Sequence, residues 1–293
     1  CAHYDTPRTL PPWYNRLRGV YATIAPLSIF GFFFLGLYLL LGLFARLGSG
    51  WLGTLADIAG LAALILNLPF LLAMLLISLV SLFRQRSDSP GADDNGSGTA
   101  LVLEVARRMQ ENPPRNLEVY FAWWGAEERG LFGSRQFVRR FGSKLGKDRF
   151  YLVNADCVGV GERLTVHTGQ GMLRRKPAEK EGVARIERLA AANGIPTTRL
   201  WETILAGGTS DHSAWIDRGF THAVSLLREN QARLSPPARW LTRLLRIPDA
   251  NQLELLHIHS AQDTLAGIRP QVLEGSANLA EAYIREVDAS LSV

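Results

Sequence analysis

Cysteine is nearly absent from this chain, and several other features are missing that would define common classes of protein. The only cysteines, Cys1 and Cys157, provide neither a disulfide framework nor a CxxC pair. No long basic block occurs, because 32 Lys and Arg against 27 Asp and Glu leave a net charge of +5 that is spread along the chain. This distribution argues against a nucleic-acid partner and is compatible with an anionic membrane surface. The opening residues, CAHYDTP, show no secretory signal pattern.

Charged residues are missing altogether from two long stretches. None occurs from Gly19 to Ala45 or from Ile58 to Phe83. Each stretch exceeds the roughly 20 apolar residues that cross a bilayer, and neither has the polar face that a core helix of a soluble protein normally carries. We therefore predict a transmembrane helical hairpin over residues 19–83, with a kink at Pro69. A pair of buried core helices is the alternative.

The arginines around these stretches predict how the hairpin is oriented. Five arginines flank the hairpin, namely Arg8, Arg16, Arg18, Arg84 and Arg86. The short connection between the two stretches holds only Arg46. By the positive-inside rule the connection faces outward and both flanks face the cytoplasm. We expect an integral membrane protein with two spans and a cytoplasmic catalytic part.

The remainder of the chain alternates between strand-like and helix-like segments. We predict strands at 117–125, 150–159, 164–168 and 222–227, and helices at 97–111, 132–141, 176–193, 211–218 and 269–290. Such alternation is typical of an α/β sheet with helices on both faces.

A short segment at residues 236–248, PPARWLTRLLRIP, stands apart from this pattern. On a helix Arg239, Arg243 and Arg246 share one face, and the opposite face carries Trp240, Leu241, Leu244 and Leu245. One interpretation is a surface helix packed on the sheet. The other is an interfacial helix that touches anionic lipid beside the hairpin.

Adjacent acids, Glu127 and Glu128, follow the apolar run LEVYFAWWG. Open α/β sheets bind ligands outside the carboxyl ends of their strands, so this position favours a functional site. Four further segments carry residues that can ligate a metal: His3 with Asp5, Asp94 in GADDNGSG, Asp156 in NADCVG, and His259 with Asp263 in HSAQDT. Each has an ordinary structural explanation alone, but their order along the chain favours a shared metal site.

In this combination the chain resembles the co-catalytic di-zinc aminopeptidase family, which also contains glutamate carboxypeptidases. The resemblance covers residues 1–6 and roughly 88–290. It implies an α/β/α sandwich with a mixed central sheet, formed by a discontinuous peptidase domain of residues 1–6 and 88–293 into which the hairpin is inserted. Because the family has early strands that precede the first ligand, the N-terminal part of the domain is expected to be missing from this chain.

The resemblance also implies a role for each site residue. Two divalent metal ions, usually zinc, would be held by five ligands: His3, Asp94 as the bridging carboxylate, Glu128, Asp156 and His259. Glu127 would be the general base that accepts a proton from a metal-activated water. Asp5 and Asp263 would assist by orienting the imidazoles of His3 and His259. His257 is a rival to His259.

A substrate-binding segment is implied at GGTSDHSAW. There Ser210, Asp211 and His212 would line the cleft, and His212 would hydrogen-bond the scissile carbonyl. Capping of a helix is the structural alternative for Ser210 or Asp211.

The expected function is that of a membrane-anchored aminopeptidase that hydrolyses peptides. Two alternatives stay open. One is a non-catalytic membrane receptor or scaffold with the same fold, and the other is a glutaminyl-cyclase-like acyl transferase that uses a single zinc.

Overall fold

Two separate units make up the chain in the computed structural model, which describes residues 1–7, 12–47, 50–83, 89–203, 209–232, 236–250, 252–254 and 258–291. The α/β unit consists of Cys1–Thr9, Ser87–Arg233 and Ile247–Val293. The hairpin unit consists of Leu10–Arg86 and Leu234–Arg246. Each unit is therefore built from more than one segment of the chain.

The α/β unit contains eight strands and five α-helices within its described residues. The strands are β1 (Ala2–His3), β2 (Trp123–Trp124), β3 (Leu152–Ala155), β4 (Arg163–Gln170), β5 (Lys176–Pro177), β6 (Thr197–Glu202), β7 (Ala223–Ala232) and β8 (Gln252–Glu254). The helices are α3 (Gly98–Glu111), α4 (Phe132–Phe141), α5 (Lys180–Ala192), α6 (His212–Ile216) and α8 (Pro270–Ser290). The labels α1, α2 and α7 denote Pro12–Ala45, Gly50–Phe83 and Pro236–Leu244 of the hairpin unit.

Parallel and antiparallel pairs both occur in the main sheet. Strand β7 pairs in parallel with β3 and antiparallel with β4, which in turn pairs in parallel with β6. The short strands β5 and β8 add antiparallel pairs to β4 and β7. A smaller parallel pair joins β1 to β2. The nitrogen of Cys1 donates to the carbonyl of Val153 at 2.6 Å, and the Cys1 carbonyl accepts from the N–H of Ala155 at 2.8 Å, so β1 also lies against β3.

Hydrophobic cores cover both faces of this sheet, because successive strand residues point to opposite sides. On one face Val224 packs with residues of α3, α5 and α8, including Ile186 and Leu279. On the other face the neighbouring Ala223 packs with α4 and α6, including Val138. Helices on both faces of a mixed sheet confirm the predicted α/β/α class.

Most of the predicted elements are present, two predictions need correction, and one long strand was not predicted. Helices α3, α4 and α8 lie within a residue of their predicted limits. Of the predicted strand 117–125 only Trp123–Trp124 is paired, because among the described residues only Ala2 and His3 lie in register with it. Helix α5 begins at Lys180 rather than at residue 176, since Lys176 and Pro177 pair with β4 instead. Strand β6 was not predicted.

Two helices of 34 residues, α1 and α2, form most of the hairpin unit. Small residues lie buried in it, among them Ala56, Ala59 and Ala63, as is typical of closely packed membrane helices. A side chain at Gly31 would come within 2.6 Å of the buried Asn67. Helix α2 continues through Pro69.

Apolar side chains dominate the surface of the hairpin. The segments Leu27–Ala45 and Trp51–Leu76 are apolar and long enough to cross a membrane, and only 11% and 17% of them is buried within the protein. The core helix of a soluble protein would instead be mostly buried. The third helix of this unit, α7, comes from the segment predicted to be either a sheet-packed or an interfacial helix, and it belongs to the same unit as the hairpin.

Candidate metal centre

Three strands end side by side at the edge of the sheet where the predicted ligands lie. Strand β1 ends at His3, β2 leads to Glu127 and Glu128, and β3 is followed by Asp156. Because β1 runs parallel to β2 and hydrogen-bonds to β3 through Cys1, these side chains come together although more than 150 residues separate the first from the last. This is the position where open α/β sheets bind ligands.

The segment GADDNGSG holds Asp94 in place through its own polar side chains. Asn95 donates through Nδ2 to the carbonyl of Ala155 at 2.9 Å and accepts through Oδ1 from the N–H of Gly98 at 3.0 Å. Ser97 donates to the carbonyl of Asp93 at 2.7 Å and accepts from the N–H of Val158 at 3.0 Å. These bonds fasten the loop of Asp94 to the end of β3.

The last residue of the GADDNGSG segment, Gly98, has to be a glycine. A Cβ atom there would lie 2.2 Å from Oδ1 of Asn95 and 2.5 Å from the carbonyl oxygen of Ala155. The start of α3 can therefore approach the end of β3 only if this residue has no side chain.

A short 3₁₀ turn, Glu127–Arg129, presents the adjacent acids. It is flanked by Ala126 and Gly130, both in the left-handed backbone region. The carboxylate of Asp5 accepts the backbone N–H of Glu127 at 3.1 Å and that of Glu128 at 3.3 Å. Asp5 therefore positions the turn, while its carbonyl oxygen lies 3.1 Å from Nδ1 of His3. An oxygen of the Asp5 carboxylate also lies 3.7 Å from the same nitrogen, so Asp5 contacts the His3 imidazole through both its backbone carbonyl and its side chain.

Asp263 performs a comparable role on the opposite side of the site. Its carboxylate accepts the backbone N–H of Asp93 at 2.7 Å and that of Asp94 at 3.1 Å. These contacts hold the segment that carries the predicted bridging ligand. The sequence-based role for Asp263, orientation of the His259 imidazole, did not anticipate them.

The two oxygens of Asp94 face two different groups of ligand atoms. Oδ1 lies 3.3 Å from Nε2 of His3, which is itself 3.4 Å from Oδ1 of Asp156. Oδ2 lies 3.0 Å from Nε2 of His259, which is 3.6 Å from Oε2 of Glu128. Asp94 is therefore shared by a His3–Asp156 group and a His259–Glu128 group, as a bridging carboxylate would be.

These spacings fit a pair of metal ions. At metal–ligand distances of about 2.0–2.1 Å, two ligands on one tetrahedral ion lie about 3.3 Å apart, and the four contacts of the cluster scatter closely around that value. Three donors surround each position, and the donors are the imidazoles and carboxylates that zinc accepts. The five predicted ligands therefore form two adjoining sets.

Negative charge is concentrated in this buried cluster. Burial, followed by the charge of Asp156, raises the pKa of Glu127, and burial, followed by the charge of Asp94, raises the pKa of Glu128. Both shifts disfavour the ionised carboxylates, and a positive charge beside them would favour ionisation. Divalent cations supply such charge.

Glu127 lies within the cluster without belonging to either set around Asp94. One ligand atom from each of Glu127, His3 and Glu128 lies within 4.8 Å of the others, and only 9% of Glu127 is exposed. Its carboxylate therefore lies beside His3 of one set and Glu128 of the other.

The predicted substrate-binding segment is buried beside the cluster. Ser210 accepts from Nδ2 of Asn154 at 2.8 Å, and Asp211 is fully buried and interacts electrostatically with His3 and Asp156. His212 is 1% exposed, and its Nε2 lies 3.2 Å from Oε1 of Glu202. The structure thus brings the three residues to the site, but it gives the imidazole of His212 a protein partner.

Sequence reasoning missed the group that surrounds His212. Nδ1 of His167 lies 2.7 Å from the same oxygen of Glu202, whose other oxygen accepts the hydroxyl of Ser213 at 2.6 Å. Contacts with His212 and His167 overcome the effect of burial and lower the pKa of Glu202. Of the three residues that surround His212, only Ser213 lies within a segment singled out from the sequence, GGTSDHSAW. The rival ligand His257 lies outside the described residues.

A carboxylate shared by two sets of imidazole and carboxylate donors, at the carboxyl edge of a mixed sheet, defines a metallohydrolase type of centre. The family described as peptidase family M28 matches residues 79–284, which is more than half of the chain. The chain therefore belongs to the M28 peptidases, and the predicted resemblance to zinc aminopeptidases is confirmed.

Individual relatives agree with this assignment. Aminopeptidase YwaD of Bacillus subtilis is 29% identical over 203 residues, which cover 68% of this chain and 38% of that protein. An aminopeptidase of Pseudomonas aeruginosa is 34% identical over 155 residues, which cover 50% of this chain and 28% of the relative. The chain thus spans less than two fifths of the length of either relative.

Solved structures show the same fold. A zinc aminopeptidase from Bacillus subtilis, BSAP, matches with a TM-score of 0.50 and 25% identity, over 69% of this chain and 43% of that one. The LapA aminopeptidase of Legionella pneumophila matches with a TM-score of 0.50 and 20% identity, over 70% of this chain and 48% of that one.

Proposed function

We propose that the chain is the catalytic region of a membrane-anchored aminopeptidase that works with two divalent metal ions, zinc by analogy with BSAP. The observation that carries the proposal is the arrangement around Asp94, whose two oxygens face separate donor groups. One ion would be held by His3, Asp156 and Asp94, and the other by His259, Glu128 and Asp94. When bound, such a pair lowers the pKa of a water molecule and polarises a peptide carbonyl.

The protein's own groups would position the reactants and move the proton. Glu127 accepts the proton of the attacking water through its carboxylate and later donates it to the leaving amine. Asp5 keeps the Glu127–Glu128 turn in place through two N–H···O bonds, and Asp263 does the same for the Asp94 segment. Burial of the cluster strengthens these electrostatic interactions, because the local dielectric constant is low. The names of the relatives support peptides with a free amino terminus as substrates.

Metal content and substrate choice test this function together. We expect the purified protein in lipid nanodiscs to contain nearly two zinc ions per chain and to hydrolyse leucine p-nitroanilide, but not its N-acetylated analogue. Treatment with 1,10-phenanthroline should abolish the activity, and added zinc should restore it. One ion together with cyclisation of N-terminal glutamine would indicate the acyl transferase instead. A protein that neither binds metal nor cleaves either substrate would be a scaffold.

The membrane anchor is the second part of the proposal. It is supported by the long apolar helices α1 and α2 and by their largely exposed surface. In a Cys1→Ser background, we expect Ser49→Cys, between the two helices in sequence, to react with a membrane-impermeant maleimide in intact cells. Ser143→Cys, at an exposed position of the α/β unit, should react only after lysis. The reverse pattern would place the α/β unit outside the cell, and recovery of both variants in the soluble fraction would exclude the anchor.

A further inference from the structure

We propose that α7 is a membrane-surface helix whose arginines bind the headgroups of anionic lipids at the boundary of the hairpin. This inference rests on the proposed membrane anchor and adds a lipid-binding site to it. The site lies at Pro236–Leu244 and the following turn, outside the candidate metal centre.

Helix α7 packs on the hairpin through one side. Ala238, Leu241 and Thr242 are buried, and the ring of Trp240 lies 5.1 Å from that of Phe30 in α1. At 3.6 residues per turn, the three buried residues fall within one sector of about 100°. Two thirds of the circumference of the helix is therefore left for other contacts.

The remaining circumference carries two different surfaces. Arg239 and Arg243 are exposed and lie about 40° apart on α7, and the exposed Arg246 follows in the turn after the helix. Trp240 and Leu244, which are 53% and 58% exposed, lie on the other flank. Basic side chains beside an exposed Trp and Leu are the composition of a helix that lies in the plane of a bilayer surface.

Charge complementarity favours anionic lipid as the occupant. No acidic residue occurs between Glu229 and Asp249, whereas four arginines do: Arg233, Arg239, Arg243 and Arg246. Near an anionic membrane each Lys or Arg contributes about 1 kcal/mol of attraction. A helix with this charge excess is therefore suited to phosphate headgroups.

A probe attached to α7 tests the proposal in the intact protein. Leu244→Cys in the Cys1→Ser background is labelled with an environment-sensitive NBD dye and reconstituted into nanodiscs of phosphatidylcholine with or without 30% phosphatidylglycerol. We expect the dye to be quenched by brominated acyl chains when phosphatidylglycerol is present. Replacing Arg239, Arg243 and Arg246 by Gln should shift the equilibrium between membrane-bound and released helix by about a hundredfold. The quenching that depends on phosphatidylglycerol should then disappear.

Matched variants show whether the quenching depends on positive charge on α7, rather than on the net charge of the protein or on correct folding. Replacement of the same three arginines by Lys should retain the quenching, as should replacement of Arg135, Arg139 and Arg140 of α4, which are also exposed, by Gln. In the labelled protein that keeps its native arginines, 1 M NaCl should weaken the quenching, because the Debye length falls to about 3 Å.

The outcomes distinguish failure of this inference from failure of the anchor. Absence of every variant from the nanodiscs would refute the anchor and the inference with it. Incorporation with a dye that stays exposed to water, or that is quenched equally with and without phosphatidylglycerol, would refute the lipid site alone. A dye shielded from water but not reached by brominated lipid would mean that a protein or a second copy covers α7, which also overturns the proposal.

Discussion

Glu127→Gln is expected to reduce the turnover of leucine p-nitroanilide by about 10²–10⁴-fold while both metal ions stay bound. The amide has the shape of the carboxylate but cannot accept a proton from water, and a positioned general base contributes about 10²–10⁴ to the rate. Glu127 is not one of the donors arranged around Asp94, so the metal content should not change. Steady-state kinetics and metal analysis of the same preparation measure both quantities.

Two companion variants make this result interpretable. Glu128→Gln, one position along the same 3₁₀ turn, should lose metal as well as activity, because Oε2 of Glu128 belongs to the His259 group. Glu274→Gln, on an exposed part of α8, should change neither. If Glu127→Gln kept more than about a tenth of the wild-type rate, Glu127 would not be the base.

Asp94→Ala is expected to have the second largest effect, which is loss of both metal ions from a folded chain. Each of its oxygens faces a separate set of donors, so a single substitution removes a ligand from both positions. Even partners that only support a ligand commonly account for 10–100-fold in metal affinity, so the loss of a shared ligand should exceed about a hundredfold at each position. Zinc titration with a chromophoric chelator measures the two affinities.

Single-set variants provide the sharpest comparison for Asp94. Asp156→Ala and Glu128→Ala each remove one donor from one set and should weaken one metal ion much more than the other. Asp148→Ala, at an exposed position, serves as a control for the loss of a carboxylate. Circular dichroism verifies that each variant is folded. If Asp94→Ala still bound one ion with unchanged affinity, Asp94 would not bridge the two positions.

Helices were predicted more accurately than strands, for a physical reason. The buried positions Leu101, Val105 and Met109 of α3 recur with the helical period, and this period can be read from the chain without knowledge of its partners. The apolar run at 117–125 has no comparable period that would show how many of its residues form a paired strand. How much of it became strand depended on the length of β1, which lies more than a hundred residues away in sequence.

In the candidate site, the residue types could be predicted from the sequence, but most of the contacts between them could not. The ligand types and their order indicated a metal site, because imidazole and carboxylate groups are scarce in apolar surroundings unless they are used. The contacts of Asp5 and Asp263 with backbone N–H groups could not be predicted, since they depend on loop conformation rather than on spacing. Glu202 was missed because nothing in its own neighbourhood in the sequence relates it to His167 and His212, which meet it only after folding.

The separation of His3 from the other ligands has a consequence for how the protein must be made. Strand β1 precedes the hairpin, and it pairs with residues that are synthesised only after α1 and α2 are complete. The candidate metal centre can therefore form only after β1, which is synthesised before the hairpin, has paired with strands that are synthesised after it. For the same reason, a version trimmed to the residues after the hairpin would lack both His3 and Asp5. Under the proposed anchor, a version without the hairpin needs a short link from β1 to Ser89 in place of the helices, rather than a simple truncation.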